Sequence, residues 1–128
     1  MSSPSDRLYT PTHEWIQIEG ARATVGLTEF AVRSIKDIIF VELPDVGRAL
    51  EAGRPFGVVE SVKAVFDLNA PLGGRVVEVN TAVPADFGPL ASDPYGAGWL
   101  LRVGDPVGDR GALMDAAAYD RFCAEHPH

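Results

Sequence analysis

The sequence predicts a mainly β fold: a β-sandwich with short flanking helices and a helix at its C-terminus. The 128 residues include 13 glycines and 10 prolines, which favour short strands joined by tight turns over a helical bundle. Short apolar runs bounded by turn residues recur up to about residue 80, and the last segment has a helical composition. We expect one domain, residues 1–128, which is long enough to bury a sizeable core.

A hairpin and a short helix are the first elements predicted. Glu14–Gly20 and Ala21–Gly26 carry alternating apolar residues on either side of a turn at Glu19 and Gly20. Thr28 then has the residue type of a helix N-cap. A short helix should follow it, with four side chains on one face: Phe30, Ala31, Ser34 and Ile35.

Strands fill the middle of the chain. Pro44 should end the first of them, and residues 45–47 should form a turn. Lys63 lies at the tip of the hairpin that the next two strands would form. The strands are predicted at Ile38–Leu43, Phe56–Ser61, Val65–Asn69 and Gly74–Asn80.

The pattern changes after residue 80. Val83–Leu90 contains two prolines and a glycine and is predicted as a loop or one helical turn, followed by a turn at Asp93–Gly96. Trp99–Val103 is predicted as a strand and Gly104–Gly111 as a loop. Ala112–Glu125 is rich in alanine and is predicted as the C-terminal helix.

Charge and composition exclude several functions. A formal net charge of -7 argues against nucleic acid and anionic membranes as partners, because phosphate binding needs clustered cations. The single cysteine, Cys123, excludes an internal disulfide and indicates a cytoplasmic protein. We find neither a signal-peptide pattern nor an apolar run approaching the ~20 residues that span a bilayer.

A catalytic or metal site is poorly supported. The three histidines, His13, His126 and His128, have no metal-ligand spacing with Cys123. No basic cluster or helix start would activate that thiol, and Ser61 lacks the glycine frame of a nucleophile elbow. We therefore predict no catalytic residues and no metal.

Lys63 is the residue that the sequence singles out. It is one of only two lysines, and short apolar runs flank it on both sides. A lysine at a hairpin tip can simply solvate the turn or protect a sheet edge. Glu60 lies three residues before it and Gly74 eleven after it, a context that suits attachment of a prosthetic arm. In such proteins the arm does the chemistry while the protein orients it.

The motif around Lys63, ESVKA at residues 60–64, resembles the lipoylation motif of the glycine cleavage system H protein family. Unlike the lipoyl domains of 2-oxoacid dehydrogenases, the chain has an N-terminal THEW segment and a C-terminal helix. Biotin carriers have methionine beside the modified lysine, whereas this chain has Val62 and Ala64. Five further blocks resemble the family in the same order: YTPTHEW (9–15), VGLTEFA (25–31), FVELPDVG (40–47), GGRVVEVN (73–80) and DPYGAGWL (93–100).

The resemblance implies a lipoyl-type β-sandwich, or barrel-sandwich hybrid, and a carrier that is not itself an enzyme. Lipoate would be joined by an amide to Lys63, with Glu60 and Gly74 read by a lipoate ligase or a lipoyl/octanoyl transferase. The pyridoxal-phosphate P protein would load an aminomethyl group derived from glycine. The T protein would pass the one-carbon unit to tetrahydrofolate, and the L protein would reoxidise the arm. We expect the carrier to be a monomer.

The resemblance also implies a cleft into which the loaded arm folds. Thr12, Glu14 and Asp67 match the cleft positions of the family, and Phe66 would cover one wall. A hydroxyl and carboxylates in a partly dry groove would hold a protonated amine well. From the residues alone, Glu14 and Asp67 could equally lie on a solvated strand edge.

Four features depart from the family pattern. Phe66 replaces a small polar residue, Lys36 stands where glycine is usual, Ala97 replaces an acidic residue, and the loop at Val83–Ser92 lacks its usual acidic pattern. They leave an alternative open, in which an H-like lipoate carrier serves sulfur oxidation with heterodisulfide-reductase-like partners, or lipoyl relay. Lys63 would carry the arm in either role.

Overall fold

A computed structural model describes residues 3–126 and contains two antiparallel sheets. The strands are β1 (Leu8–Tyr9), β2 (Glu14–Glu19), β3 (Arg22–Leu27), β4 (Ile38–Glu42), β5 (Ala49–Leu50), β6 (Pro55–Ser61), β7 (Val65–Asn69), β8 (Gly73–Val79) and β9 (Leu101–Val107). The helices are α1 (Glu29–Ile35), α2 (Ala82–Ala85), α3 (Gly88–Ser92) and α4 (Ala116–Glu125), with a 3₁₀ turn at Arg110–Ala112.

The six-stranded sheet has the order β1-β2-β3-β9-β8-β5, and the three-stranded sheet has the order β4-β6-β7. Alternate residues of both sheets point into one shared core, which includes Val25 and Val103 from the first sheet and Val59 and Leu68 from the second. The predicted mainly β sandwich with short helices and a C-terminal helix is confirmed. No helix within residues 3–126 is both long and apolar enough to cross a bilayer.

Local turn chemistry agrees with the sequence at several positions. Gly20, with φ +62°, makes the turn between β2 and β3. Thr28 caps α1, since its hydroxyl accepts a hydrogen bond from the Ala31 N–H at 3.2 Å. The strand predicted at Val65–Asn69 is β7, residue for residue.

The C-terminal region differs from the prediction in four ways. The strand predicted from Trp99 begins at Leu101. Residues 104–107, expected in a loop, extend β9, and Pro106 is tolerated because pairing with β3 has ended at Gly104. Two short helices, α2 and α3, replace the single loop or turn. Helix α4 begins at Ala116, later than predicted, because Met114 pairs with Tyr9 and the Asp115 carboxylate caps the helix through the Ala118 N–H at 2.8 Å.

A separate aromatic cluster holds α4 against the six-stranded sheet. Tyr9, Trp15 and Tyr119 are buried together, and the rings of Tyr9 and Tyr119 stack with centroids 4.7 Å apart. The Trp15 indole N–H donates to the Pro94 carbonyl at 3.1 Å. The C-terminal helix is therefore docked on the start of the chain.

Candidate functional site

Lys63 lies in the turn that joins β6 to β7, and its side chain is exposed. Ser61 closes this turn, since its backbone N–H donates to the Ala64 carbonyl at 2.8 Å. The Ser61 hydroxyl accepts from the backbone N–H groups of Lys63 and Ala64, at 3.3 and 3.1 Å. Since these bonds fix the backbone around Lys63, the amine projects from an ordered tip. Within residues 3–126 the Lys63 ammonium forms no ion pair.

A second contact ties the tip to the connection between α1 and β4. The Val62 N–H donates to the Asp37 carbonyl at 3.3 Å. Lys36 and Asp37 both have positive φ, +48° and +49°, in a region that favours glycine. The chain therefore turns sharply at the end of α1, which brings the Asp37 carbonyl to the hairpin tip.

Glu60 lies on the outer face of the three-stranded sheet. It is in register with Phe40 on β4 and with Val65 on β7, so the three side chains share that face. Phe40 is 46% exposed and Val65 is 61% exposed. The carboxylate is thus presented between two exposed apolar side chains, an arrangement that a partner protein could recognise.

A groove of about 400 Å³ runs alongside β7. One wall is the loop from Pro11 to His13, and another is formed by α1 residues Ala31, Ser34 and Ile35. Phe66 and Asp67 also border the groove. They follow Lys63 by three and four residues, which places them roughly 10–13 Å from Lys63 along an extended strand. Three of the four predicted cleft residues, Thr12, Phe66 and Asp67, therefore line one groove.

Phe66 and Asp67 meet the groove differently. Phe66 is in register with the buried Val59, so its ring points toward the inner side of the sheet, although it remains 41% exposed. Asp67 is in register with Val58, on the alternate face, and lies at the rim. Its side chain is exposed and forms no hydrogen bond or ion pair with another side chain in the described part of the protein.

Glu14, the fourth predicted cleft residue, is fully buried, which contradicts a solvated strand edge at this position. Its Oε1 accepts from the hydroxyls of Thr10 and Thr12, at 2.6 and 2.5 Å. Its Oε2 accepts from the Asn69 N–H at 3.1 Å. Burial raises the pKa of the Glu14 carboxyl, and these hydrogen bonds only partly oppose that effect. Glu14 thereby fastens the Thr12 loop to the end of β7.

Gly74 is explained by packing within the six-stranded sheet. Its φ is +145°, and a Cβ at this position would lie 2.3 Å from Val103 Cγ1 and 2.9 Å from the Gly104 carbonyl oxygen. Both distances are far below normal contact, so the sheet excludes any side chain here. The structure thus gives Gly74 a folding role that is independent of any enzyme.

The sequence predicts no functional role for His13, yet this residue lines the groove. Its Nδ1 lies 2.7 Å from the Tyr119 hydroxyl on α4. A sequence signal was available, because Thr12 and Glu14, both predicted cleft residues, flank His13. Tyr119 had no such signal, since 106 residues separate it from His13.

The rest of the described chain offers no catalytic constellation. Residues 3–126 contain no cluster of side chains that could hold a metal ion. Cys123 is half-buried, and burial raises the pKa of its thiol, which disfavours the nucleophilic thiolate.

An exposed amine on a fixed hairpin beside a groove is the arrangement of a carrier protein, in which an attached arm does the chemistry and the protein orients it. The model of the family described as "Glycine cleavage H-protein" matches residues 7–126. The chain belongs to that family, and as a member it is a carrier of the glycine cleavage system. The family generally carries lipoyl-lysine.

Similarity to individual relatives covers almost the whole chain. The chain is 54% identical over 119 residues to the glycine cleavage system H protein of Beutenbergia cavernae, covering 93% of this chain and 94% of the relative. It is 44% identical to glycine cleavage system H protein 2, mitochondrial, of Arabidopsis thaliana, covering 94% and 78%. The crystal structure of a glycine cleavage system H protein from Mycobacterium marinum superposes with a TM-score of 0.83 at 44% identity, covering 98% and 99%. The predicted family and the glycine cleavage function are confirmed.

Proposed function

We propose that lipoate is attached to Lys63 through an amide. The carrier then moves an aminomethyl group from P protein to T protein, and L protein reoxidises the lipoyl arm. The observation that supports this most is the exposed Lys63 amine on a turn fixed by Ser61 and by the Asp37 carbonyl. An amine with no ion pair to any residue between 3 and 126 suits acylation. When bound, the lipoyl group supplies a reversible disulfide that accepts the cargo and the electrons.

The groove beside β7 is the proposed shelter for the loaded arm. It begins within reach of a lysine lengthened by a lipoyl chain, and Phe66 provides an apolar wall. Asp67 at the rim is the carboxylate available to a protonated amine, together with the Thr12 hydroxyl. Glu14 acts behind them, since its hydrogen bonds hold Thr12 and the end of β7 in place. Exclusion of water by these walls would protect the cargo from hydrolysis.

Recognition by the attaching enzyme is proposed to centre on Glu60, which Phe40 and Val65 flank on the outer face. Either a lipoate ligase or a lipoyl/octanoyl transferase could read this surface. Gly74 contributes to recognition only by keeping the sheet intact. We further propose that residues 1–128 act as one domain, as a monomer, in the cytoplasm.

Attachment is tested by coexpression with a lipoate ligase, followed by intact mass and peptide mapping. We expect one lipoyl group, on Lys63, which is lost in Lys63→Arg and kept in the matched variant Lys36→Arg. The lipoylated protein should be reduced by dihydrolipoyl dehydrogenase and NADH. Lipoylation of Lys63→Arg would overturn the assignment.

The cargo is tested by the exchange of the glycine carboxyl carbon with bicarbonate, which P protein catalyses in the presence of lipoylated carrier. We expect robust exchange with the wild-type chain, despite the departures at Phe66 and Lys36. Negligible exchange, restored by Phe66→Ser or Lys36→Gly, would instead assign this chain a different cargo.

A further inference from the structure

The hydroxyl of Tyr119 connects two elements that form the groove. It lies 2.7 Å from His13 Nδ1 and 2.7 Å from Thr28 Oγ1. Tyr119 is completely buried, and burial raises the pKa of its phenol, so the hydroxyl keeps its proton. One neutral hydroxyl on the C-terminal helix is thus within hydrogen-bond distance of both elements.

His13 belongs to the loop wall. Its backbone has φ +71°, unusual for a residue other than glycine, so the surrounding contacts must stabilise this conformation. Its ring packs 4.7 Å from the Phe30 ring and 6.0 Å from the Phe122 ring, measured between centroids. The Tyr119 hydroxyl adds a directional contact that fixes the rotation of the imidazole at the groove surface.

Thr28 belongs to the helical wall. Its hydroxyl caps α1 through the Ala31 N–H, and Ala31 itself lines the groove. The Thr28 N–H also donates to the His13 carbonyl at 3.1 Å, so the two walls are already neighbours through the backbone. The Tyr119 hydroxyl therefore orients the side chains of walls whose backbones are already joined.

We propose that Tyr119 is a positioning residue for the arm groove, because its hydroxyl joins the His13 wall to the Thr28 wall and fixes the surface that shelters the loaded arm. This inference rests on the proposed function of the groove. Through His13 and Thr28, it lets the C-terminal helix, whose sequence is remote from Lys63, influence the lifetime of the cargo. Tyr119 does not touch the reacting atoms in this role.

The first test uses the unmodified protein. In Tyr119→Phe, amide hydrogen exchange at Thr28 and Ala31 should accelerate about threefold or more relative to the Val59 amide in the central strand β6. The matched control is Tyr9→Phe, which removes the hydroxyl that donates to the Pro4 carbonyl in the same aromatic cluster. It should leave Thr28 and Ala31 unchanged relative to Val59. Equal protection of these amides in wild type and Tyr119→Phe would overturn the proposal.

The second test measures the lifetime of the cargo on lipoylated protein loaded by P protein with labelled glycine. Hydrolysis cleaves the carbon–sulfur bond and releases formaldehyde and ammonia, leaving the thiol on the arm. Tyr119→Phe should shorten the lifetime about threefold or more, whereas Tyr9→Phe should not. Lipoylation of Lys63 and reduction of the unloaded arm should be unchanged, since a general loss of folding would slow both.

The outcomes separate this inference from the function on which it rests. If the wild-type cargo is hydrolysed as fast as on an unfolded lipoyl-peptide, the groove does not shelter the arm and the proposed function of the groove fails. If the wild type shelters its cargo and Tyr119→Phe does so equally well, the role of Tyr119 fails. Should Tyr119→Phe not fold, His13→Gly replaces it, because glycine adopts a positive φ freely and has no side chain to reach the hydroxyl. The same acceleration is expected, and its absence counts against the proposal.

Discussion

The Val62 N–H donates to the Asp37 carbonyl at 3.3 Å, which joins the Lys63 hairpin to the turn after α1. That turn is conformationally costly, because Lys36 has φ +48° and ψ +150°, a combination found almost only in glycine. A lysine at this position therefore strains the connection that supports the attachment tip.

We expect Lys36→Gly to stabilise the protein by about 1 kcal/mol, since the relief of strain exceeds the extra conformational entropy of glycine. Lys36→Ala is the control, because it removes the charge but keeps the Cβ. Urea unfolding curves give the free energy of unfolding for each variant. An equal gain in Lys36→Ala would show that charge, and not backbone strain, is responsible.

Ser61 should determine how well Lys63 is presented. Ser61→Ala leaves two backbone N–H groups without their acceptor and should lower the free energy of unfolding by about 1–3 kcal/mol. Lipoylation of Lys63 should also slow, because the tip loses its fixed shape. The exposed Ser92, whose hydroxyl donates to the Gly88 carbonyl, is the control, and Ser92→Ala should cost less than about 0.5 kcal/mol. Normal stability and modification of Ser61→Ala would refute this role.

Most of the fold could be predicted from the sequence because its signals are local. The strand at Val65–Asn69 and the Thr28 cap depend on residues within a few positions of each other. The end of β9 is not predicted, because Pro106 has no backbone N–H and ends a strand only if a neighbouring strand needs a donor at that position. The start of α4 was missed because the contact of Met114 with Tyr9 joins distant parts of the chain.

The candidate site was only partly predictable for the same reason. Lys63 and Thr12 were identified through motifs, which depend on nearby residues. The sequence does not predict whether the Glu14 side chain is buried or exposed, because its burial depends on an N–H from Asn69, 55 residues away. The Tyr119 contacts with His13 and Thr28 span 106 and 91 residues and leave no periodic trace in the sequence.

Gly74 should matter for folding before it matters for recognition. Gly74→Ala should lower the free energy of unfolding by about 2 kcal/mol or more, because its Cβ would collide with Val103 and the Gly104 carbonyl. Gly20→Ala is the control: Gly20 has φ +62°, but a Cβ added there would meet no atom within 4 Å, so the change should cost about 1 kcal/mol. If folded Gly74→Ala is lipoylated at the normal rate, the enzyme does not read this glycine.

Glu14 should make stability depend on pH in an unusual direction for a carboxyl. Its pKa is raised above 4.5 in the folded protein, so folding favours the protonated form. The contribution of Glu14 to the free energy of unfolding is therefore greatest below its unfolded pKa and is lost as pH rises through the folded pKa. The loss is about 1.4 kcal/mol for every pH unit that separates the two pKa values. The free energy of unfolding of the wild type minus that of Glu14→Gln should fall as pH rises above 4.5. A constant or rising difference between about pH 4 and pH 7 would contradict the raised pKa.

Asp67 offers the most direct test of how the groove holds its cargo. Because this carboxylate is exposed at the rim, its attraction to a protonated amine is weakened by water and should be about 1 kcal/mol or less. Asp67→Asn should therefore speed hydrolysis of the loaded cargo by up to about fivefold, and leave lipoylation of Lys63 unchanged.

Asp45→Asn is the control, because it removes the same charge from an exposed turn that does not border this groove. The lifetime is measured by release of labelled formaldehyde at low and high salt, and the effect of Asp67→Asn should shrink as salt screens the charge. An equal effect of both variants would assign the change to net charge, whereas no effect of Asp67→Asn would leave Thr12 and the apolar walls as the groups that hold the arm.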